Sequence, residues 1–207
     1  MLARTPVKAR RHGAASLDRE RVGERLRALR KSQKLTLKAL AERSGVALST
    51  LSKIELGQIS VSYEKLAAAA HALDADIAQL FDARAAASAA QGGRRQVVVR
   101  STPADAPSYD ADNYDYRMLA TDFSAKRMTP LLGTIVAREL SQFPDYIRHA
   151  GQEFVMVLSG KVRLLFETGE AIELARRESA YFDSGVGHVY LSTSKGDAQV
   201  VVVMSER

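Results

Sequence analysis

Four side chains in one short segment carry groups that together can form hydrogen bonds, an ion pair and an apolar contact. They are Leu48, Ser49, Ser52 and Lys53. On a helix these four share one face, whereas Leu51 and Ile54 lie on the opposite, apolar face. A hydroxyl both donates and accepts hydrogen bonds, and an ammonium pairs with an anion. This combination suits recognition of a polyanion whose edges carry donors, acceptors and methyl groups.

Two short helices joined by a tight turn would hold these side chains in place. Thr36 is a suitable N-cap for the first helix, because its hydroxyl can accept a backbone N–H of the first turn. That helix is predicted to run to about Arg43, and Gly45 follows it, where a left-handed backbone costs little. The second helix is predicted over about residues 47–56. The stretch 35–57 therefore predicts a helix-turn-helix.

The segment resembles the phage-repressor-like (XRE) family of helix-turn-helix proteins. The five structural positions of that motif are filled, at the expected spacing, by Ala41, Gly45, Val46, Leu51 and Ile54. Leu37 stands where the family often has Gln, and Ala47 and Leu48 stand where it often has Ser and Gln, so the operator preferences of the family do not transfer. The resemblance implies a sequence-specific DNA-binding domain whose second helix enters the major groove. The alternative is an ordinary helical hairpin whose small residues merely pack.

The resemblance also implies which residues contact double-stranded DNA. The predicted DNA-binding residues are Thr36, Leu37, Lys38, Leu48, Ser49, Ser52 and Lys53. The two serines can hydrogen-bond to base edges, and Leu48 can contact a thymine methyl group. Lys53 either reads guanine or neutralises a phosphate, and the sequence leaves both roles open. The first three residues open the first helix of the motif, whose N-terminal amides suit a phosphate.

The distribution of charge agrees with such a partner. The 207-residue chain has a net charge of +6. Residues 1–60 hold 14 Lys and Arg against 5 Asp and Glu, while the remainder holds 16 against 19. We therefore expect a polyanion to bind the N-terminal third only. Residues 1–18 show no apolar periodicity and are predicted to form a flexible basic arm that adds contacts to the DNA backbone or minor groove.

The composition excludes several kinds of site. The chain has no cysteine, which removes disulfides, thiol catalysis and cysteine-based zinc or iron–sulfur sites and agrees with a cytoplasmic location. No apolar run approaches the roughly 20 residues of a membrane-spanning helix, so we expect a soluble protein without a membrane partner. The sequence contains no G-x-S-x-G segment, which would indicate a nucleophilic serine, and no Gly-rich segment of the kind that binds phosphate. We therefore predict no catalytic residues.

The pattern of apolar residues divides the chain into two domains. Residues 19–82 are predicted to form five helices, the first of which begins at Arg19 and carries Arg30 on its polar side. Residues 83–95 are rich in Ala and end in Gly-Gly-Arg-Arg, which is typical of a linker. In residues 96–207, short segments rich in β-branched and aromatic residues alternate with turns. These segments predict an antiparallel sandwich or barrel.

Nine strands are predicted in this C-terminal domain. Their ranges are Val97–Arg100, Arg117–Thr121, Leu132–Leu140, Glu153–Leu158, Val162–Phe166, Ala171–Leu174, Ala180–Phe182, Val189–Ser192 and Gln199–Met204. The stretch 101–115 contains Pro103, Pro107 and several Asp and Tyr, and is predicted to be an irregular surface segment. The predicted fold class is therefore α+β as two domains, an all-α five-helix domain followed by an all-β domain.

The β domain is similar to the cupin family of small β-barrels over roughly residues 131–204. The residues that match its two motifs are His149, Glu153, Gly160, Gly185 and His188. Ile147 occupies the position of the family's first His. Three further positions depart from the motifs: Arg177, Asp183 and Ser192. The resemblance implies a cupin-like barrel that keeps part of the usual ligand set.

By that resemblance, His149, Glu153 and His188 form a candidate set of two histidines and one carboxylate. Three such ligands leave coordination positions open and suit zinc, iron(II) or manganese. The apolar Ile147 removes a fourth ligand and argues against a tight metal site. The alternative, which the sequence favours, is that the same three side chains bind a small-molecule effector in a metal-free pocket.

The two resemblances together imply a cytoplasmic DNA-binding transcriptional regulator. Its barrel would sense a small molecule and pair two subunits, so that a homodimer reads a pseudo-palindromic operator. One alternative is a cupin-type metalloenzyme, a dioxygenase or isomerase, with a DNA-binding appendage; the missing ligand at Ile147 speaks against it. The other alternative is a regulator whose barrel serves only for dimerisation. We predict that the chain is not an enzyme.

Overall fold

The structure is a computed structural model, which describes residues 19–59, 61, 63–75, 77–81, 97–110, 113–123 and 126–205. The predicted arm, residues 1–18, and the predicted linker, residues 83–95, lie outside these ranges. A helical region and a β region make up the described chain, in the predicted order. The predicted fold class is therefore confirmed.

Five α-helices form the described N-terminal region. They are α1 (Arg19–Ser32), α2 (Leu37–Ser44), α3 (Leu48–Glu55), α4 (Tyr63–His71) and α5 (Ala78–Phe81). The Thr36 hydroxyl accepts a hydrogen bond from the Ala39 backbone N–H over 3.1 Å and caps α2, as predicted. Gly45 ends α2 with a φ of 71°, and its N–H donates to the Ala41 carbonyl. Within the described ranges, no helix combines the length and apolar character needed to cross a membrane.

The apolar faces of these helices enclose one core. Its largest fully buried side chains are Leu26, Leu40, Leu51, Leu66, Leu73, Leu80 and Phe81. Helix α1 crosses the end of α3 at Gly23, where an added Cβ would lie 2.2 Å from the Ile54 carbonyl oxygen. A side chain of any size would force the two helices apart. The close crossing therefore depends on the absence of a side chain at Gly23.

A buried ion pair joins the same two helices. Arg30 and Glu55 are 8% and 7% exposed, and the guanidinium donates from Nε to Oε1 over 2.6 Å and from Nη2 to Oε2 over 2.7 Å. Nη1 of Arg30 donates to the Leu35 carbonyl over 2.7 Å. The prediction that Arg30 lies on the polar side of α1 is wrong, because the Glu55 carboxylate holds it in the interior. The bidentate geometry fixes the orientation of α3 relative to α1.

Within the described residues, nine strands form two antiparallel sheets. They are β1 (Ser108–Asp110), β2 (Tyr114–Met118), β3 (Met128–Ile135), β4 (Gln152–Ser159), β5 (Lys161–Phe166), β6 (Ala171–Ala175), β7 (Ser179–Asp183), β8 (His188–Ser192) and β9 (Ala198–Ser205). The larger sheet has the order β1-β2-β3-β9-β4-β7, and the smaller has the order β6-β5-β8. A single 3₁₀ turn, Leu140–Gln142, follows β3 in the described chain. Alternate residues of β9 are buried, which places one face of the larger sheet on the core.

Two predictions about the strands are wrong. The segment Val97–Arg100 forms no strand, and Val97 and Val98 are 92% and 81% exposed, because no described strand pairs with it. Conversely, the stretch 101–115, predicted to be irregular, contains β1 and the start of β2. Tyr109 of β1 pairs with Tyr116 of β2 and is only 3% exposed. Burial of these tyrosines stabilises the strand despite the neighbouring prolines.

Tyr109 also joins the two regions. Its hydroxyl accepts a hydrogen bond from the Val61 backbone N–H over 2.8 Å. Its ring meets the Phe81 ring edge-on, with the ring centroids 5.6 Å apart. Val61 precedes α4 and Phe81 ends α5. One side chain of the β region is therefore anchored in the helical core, and the two regions pack against each other.

Candidate metal centre and DNA-binding surface

Three segments of the β region bring the predicted ligands together. Glu153 lies in β4, His188 begins β8, and His149 lies in the loop that precedes β4. Ile147, in the same loop, forms two backbone hydrogen bonds with His188, with N···O distances of 3.1 and 2.9 Å. These bonds hold the loop beside β8. One ligand atom from each of His149, Glu153 and His188 lies within 4.8 Å of the others, so the set can bind a single metal ion.

The Glu153 carboxylate is the centre of this cluster. Its Oε2 lies 2.8 Å from His149 Nε2 and 3.5 Å from His188 Nε2. Its Oε1 accepts a hydrogen bond from the Tyr190 hydroxyl. Burial is the largest influence on this carboxyl and opposes its ionisation. The hydrogen bonds and charges of the two histidines outweigh burial and lower the pKa of Glu153 to about 2.

The hydrogen bonds of His188 determine which of its ring nitrogens is available. Nδ1 lies 3.0 Å from the Val186 carbonyl oxygen. Because a carbonyl only accepts, Nδ1 carries a proton, and Nε2 is the ring nitrogen directed at the cluster. Nε2 lies 3.5 Å from Glu153 Oε2, and either a proton on this nitrogen or a metal ion can lie between the two atoms. The donor set therefore fits a divalent metal ion.

Tyr190 belongs to the same cluster, although the motif positions gave no indication of it. Burial, and then the neighbouring Glu153 carboxylate, raise the pKa of Tyr190 well above its usual value, so the hydroxyl remains a neutral donor. Its backbone N–H donates to the Tyr114 hydroxyl over 2.7 Å. Tyr190 lies two residues after His188 in β8, and this spacing in a strand places both side chains on one side. That spacing is the signal that could have identified it.

The space beside the cluster is small. A cavity of about 20 Å³ adjoins Glu153 and His188 and is bounded by Tyr114, Ile147 and Tyr190. A cavity of this size holds about one water molecule or ion. Sites for organic ligands measure roughly 300–1,000 Å³. The cavity is therefore too small for the organic effector that the sequence favoured at this position, whereas a metal ion needs only the space between the three ligand atoms.

Helix α3 presents most of the predicted base-contacting side chains to solvent. Leu48 is 48% exposed, and Ser49 and Lys53 are also exposed. Ser52 is half-buried on the flank of the helix. On the opposite face, Leu51 is 0% exposed and packs into the helical core. The predicted division of α3 into an inner and an outer face is therefore confirmed.

The start of α2 carries the other three predicted DNA-binding residues. Thr36 is exposed, although its hydroxyl already accepts the capping hydrogen bond. Lys38 is exposed, and its ammonium lies 4.0 Å from the Glu42 carboxylate. Leu37 is half-buried and packs against the core. Thr36 and Lys38 are therefore more accessible to a DNA backbone than Leu37.

Two family models match the chain. Residues 21–82 match a model described as a helix-turn-helix domain, and residues 139–204 match a model described as a cupin domain. The first range contains α1 from its third residue onwards and α2 to α5, and the second contains the cluster around Glu153. No curated protein matches the chain significantly.

Among solved structures, the chain is similar to an HTH_3 family transcriptional regulator from Vibrio cholerae. The two are 21% identical, the match covers 91% of this chain and 97% of the other, and the TM-score is 0.62, which shows a shared fold. Hydroxypropylphosphonic acid epoxidase from S. wedmorenis is 22% identical over 92% of this chain and 100% of its own, with a TM-score of 0.49. The chain therefore combines an N-terminal region that matches a helix-turn-helix model with a C-terminal region that matches a cupin model.

Proposed function

We propose that the chain is a DNA-binding transcriptional regulator in which α3 reads base edges. The observation that carries the proposal is the separation of α3 into two faces. Leu51 and Ile54 are 0% and 3% exposed inside the core. Leu48, Ser49 and Lys53 face solvent with an apolar, a hydroxyl and a cationic group. An α-helix with its side chains is about 10–12 Å in diameter, which fits the roughly 12 Å width of the major groove.

The start of α2 would anchor the same domain to the DNA backbone. Thr36 and Lys38 are exposed there, and the first-turn amides of a helix attract anions. Basic residues outnumber acidic ones 14 to 5 in residues 1–60. We therefore expect binding to weaken strongly with salt, with log K falling by about 0.9 per phosphate contact for each unit of log salt.

Selection of bound duplexes from a random pool tests this proposal. The full chain is expected to enrich one sequence and to bind it more tightly than random duplex at the same salt concentration. Lys53→Gln should weaken binding, whereas Lys195→Gln, which removes an exposed lysine of the β region, is the matched control. Equal affinity for all duplexes, with no enriched sequence, would overturn sequence-specific regulation.

A homodimer is part of this proposal, because one helix-turn-helix covers only a short half-site. The half-site centres would lie about 34 Å apart. We place the pairing surface in the β region, where β7 and β6 are edge strands among the described sheets. Such edges are readily covered by a partner, and these carry the 65% exposed Tyr181 and the 38% exposed Ile172.

Sedimentation of the full chain tests the assembly. The wild type is expected to be a dimer, and Tyr181→Asp is expected to shift it towards monomer by placing a charge in the apolar contact. Lys195→Asp introduces the same residue away from that contact and should leave the dimer intact. A monomeric wild type at the concentration that binds DNA would exclude this mode of pairing.

We also propose that His149, Glu153 and His188 hold one zinc, iron(II) or manganese ion. The proposal is supported by the three ligand atoms, which lie within 4.8 Å of one another, and by the Nδ1 contact with the Val186 carbonyl, which directs Nε2 of His188 at Glu153. When bound, the ion supplies a positive charge that neutralises the buried carboxylate. The ligands lie on two strands and one loop, which the ion would connect. The small cavity also supports our proposal that this centre is not an active site for an organic substrate.

Metal analysis of the purified protein tests the centre. Wild type is expected to contain about one ion per chain after incubation with one of the three metals. His188→Ala should lose it, and His71→Ala, which removes an exposed histidine of α4, should retain it. A wild type that binds none of the three metals, or a His188→Ala variant that binds as well as wild type, would overturn the assignment.

A further inference from the structure

A cleft of about 570 Å³ lies between the helical region and the β region. The turn between α2 and α3 and the outer side of α4 form its helical wall, and β2 with the segment after β3 forms the other. The helical wall includes Gly45, Val46, Thr50 and Lys65, and the other wall includes Phe143 and Tyr146. The volume lies within the roughly 300–1,000 Å³ that small-molecule sites occupy. The cleft is therefore large enough for a ligand that the cavity beside Glu153 cannot hold.

Apolar and polar side chains both line the cleft, and among the described residues one of its two cations lacks an acidic partner. Arg148 is paired, because its Nη1 lies 3.2 Å from Asp145 and its Nη2 donates to Glu167. Lys65 lines the cleft and is exposed, and within the described part of the chain it has no acidic partner. An ammonium beside aromatic and aliphatic side chains complements a molecule with an apolar body and one anionic group.

The cleft also adjoins the candidate metal centre. Tyr114, Tyr116 and Ile147 line both the cleft and the small cavity beside Glu153. The Tyr114 hydroxyl accepts a hydrogen bond from the backbone N–H of Tyr190, whose own hydroxyl donates to Glu153. On the opposite wall, the turn at Gly45 leads directly into α3. A ligand in the cleft would therefore contact both the helical region, which is proposed to bind DNA, and the residues that position the metal ligands.

We propose that this cleft binds a small amphipathic monoanion, an aromatic or aliphatic carboxylate or sulfonate, as the regulatory effector. Its apolar body would lie against Val46, Ala68 and Phe143, and its anionic group would pair with Lys65. Because the ligand contacts both regions, it has a different affinity for each arrangement of the two, which shifts the position of α3. The proposal of a binding site depends only on the geometry of the cleft, whereas the proposal of a regulatory role also depends on the proposed function.

Binding of the fluorescent aromatic sulfonate 8-anilinonaphthalene-1-sulfonate to the full chain, without DNA, tests the site. We expect saturable binding of about one dye per chain. Lys65→Gln should weaken it about threefold to tenfold, because the charge-assisted contact is lost, while Lys195→Gln should leave it unchanged. Ala68→Trp, which fills the cleft, should abolish binding, and its melting temperature reports whether the fold is retained.

Three results would overturn the proposal of a cleft site. They are an absence of dye binding, equal binding by wild type and Lys65→Gln, and binding that appears only when a dimer is diluted to monomer. The regulatory role has a separate readout. The dissociation constant of the dye should change at least threefold when the selected duplex is bound, since coupling between two ligands is reciprocal. An unchanged constant would overturn that role, and it would do so without bearing on DNA binding, which is measured without dye.

Discussion

The Tyr190 hydroxyl determines how the Glu153 carboxylate is oriented. By donating to Oε1, it leaves Oε2 directed at His149 and His188. Tyr190 is itself fixed, because its backbone N–H donates to the Tyr114 hydroxyl over 2.7 Å. Metal ligands that are hydrogen-bonded in this way lose less freedom when the ion binds. Tyr190 is therefore a positioning residue for the proposed metal centre.

Tyr190→Phe should weaken metal binding by about 10- to 100-fold, because Glu153 loses the donor that orients it. Competition titration with a metal-binding dye measures this change. Tyr181→Phe is the matched control, since its hydroxyl donates to Gln152 outside the cluster. An affinity for metal that is the same in wild type and Tyr190→Phe would show that the hydroxyl does not position the carboxylate.

Ser52→Ala should weaken binding to the selected duplex by about 1–3 kcal/mol and leave binding to random duplex nearly unchanged. The serine lies on the flank of α3, where its hydroxyl can reach a base edge but adds no charge for the backbone. Ser141→Ala, in the 3₁₀ turn of the β region, is the control. A loss of equal size on both duplexes would remove Ser52 from the base-contacting residues.

At the scale of the element, the orientation of α3 depends on its contacts with α1. Gly23 permits the close crossing, and the Arg30–Glu55 pair fixes it by two hydrogen bonds. Both partners are buried, so each charge depends on the other for compensation. The outer face of α3 can present its side chains reproducibly only while this inner contact is intact.

Glu55→Ala should reduce the free energy of unfolding of the helical region by about 3–5 kcal/mol, because it leaves the Arg30 charge buried and unpaired. Urea unfolding followed by the circular dichroism of the helices measures the change. Glu42→Ala, which removes the partner of the exposed Lys38, should cost less than about 1 kcal/mol. Replacing both Arg30 and Glu55 by apolar residues should recover most of the loss. If the single and double variants are equally stable, the unpaired charge is not the cause.

The ends of α2 could be predicted because their chemistry is local. Thr36 caps the helix through an amide three residues away, and Gly45 supplies the left-handed backbone itself. Arg30 could not be predicted, since its partner is 25 positions distant and several basic residues of α1 look alike in the sequence. The same reason applies to Tyr109, whose burial depends on α5. The burial of these residues is determined by long-range packing, which no local sequence pattern indicates.

For the candidate metal centre, too, some features could be predicted from the sequence and others could not. The positions of His149, Glu153 and His188 follow from motif spacing, which the strand order preserves. The small volume beside them could not be predicted, because it is set by tyrosines from β2 and β8 that fill the interior. That volume is the reason why we propose an ion at this site and an effector in the larger cleft.

At the scale of the whole molecule, Tyr109 connects the region proposed to read DNA with the region proposed to bind metal. Its ring packs on Phe81 and its hydroxyl satisfies the Val61 N–H. The cleft of about 570 Å³ lies between the same two regions. Any change in their relative placement must therefore strain or break the contacts of this one residue.

Tyr109→Ala should release the two regions from their fixed placement, because it removes the ring from Phe81 and leaves the Val61 N–H without its acceptor. The chain has no cysteine, so Glu42→Cys with Lys195→Cys introduces two unique labelling positions, one exposed on α2 and one in the β region. Single-molecule energy transfer between dyes at these positions should give one narrow distance distribution in the otherwise wild-type chain and a broader one with Tyr109→Ala. Leu158→Ala removes an exposed apolar side chain of the β region and should leave the distribution narrow. A distribution that is equally broad before and after Tyr109 is removed would mean that this contact does not hold the regions together.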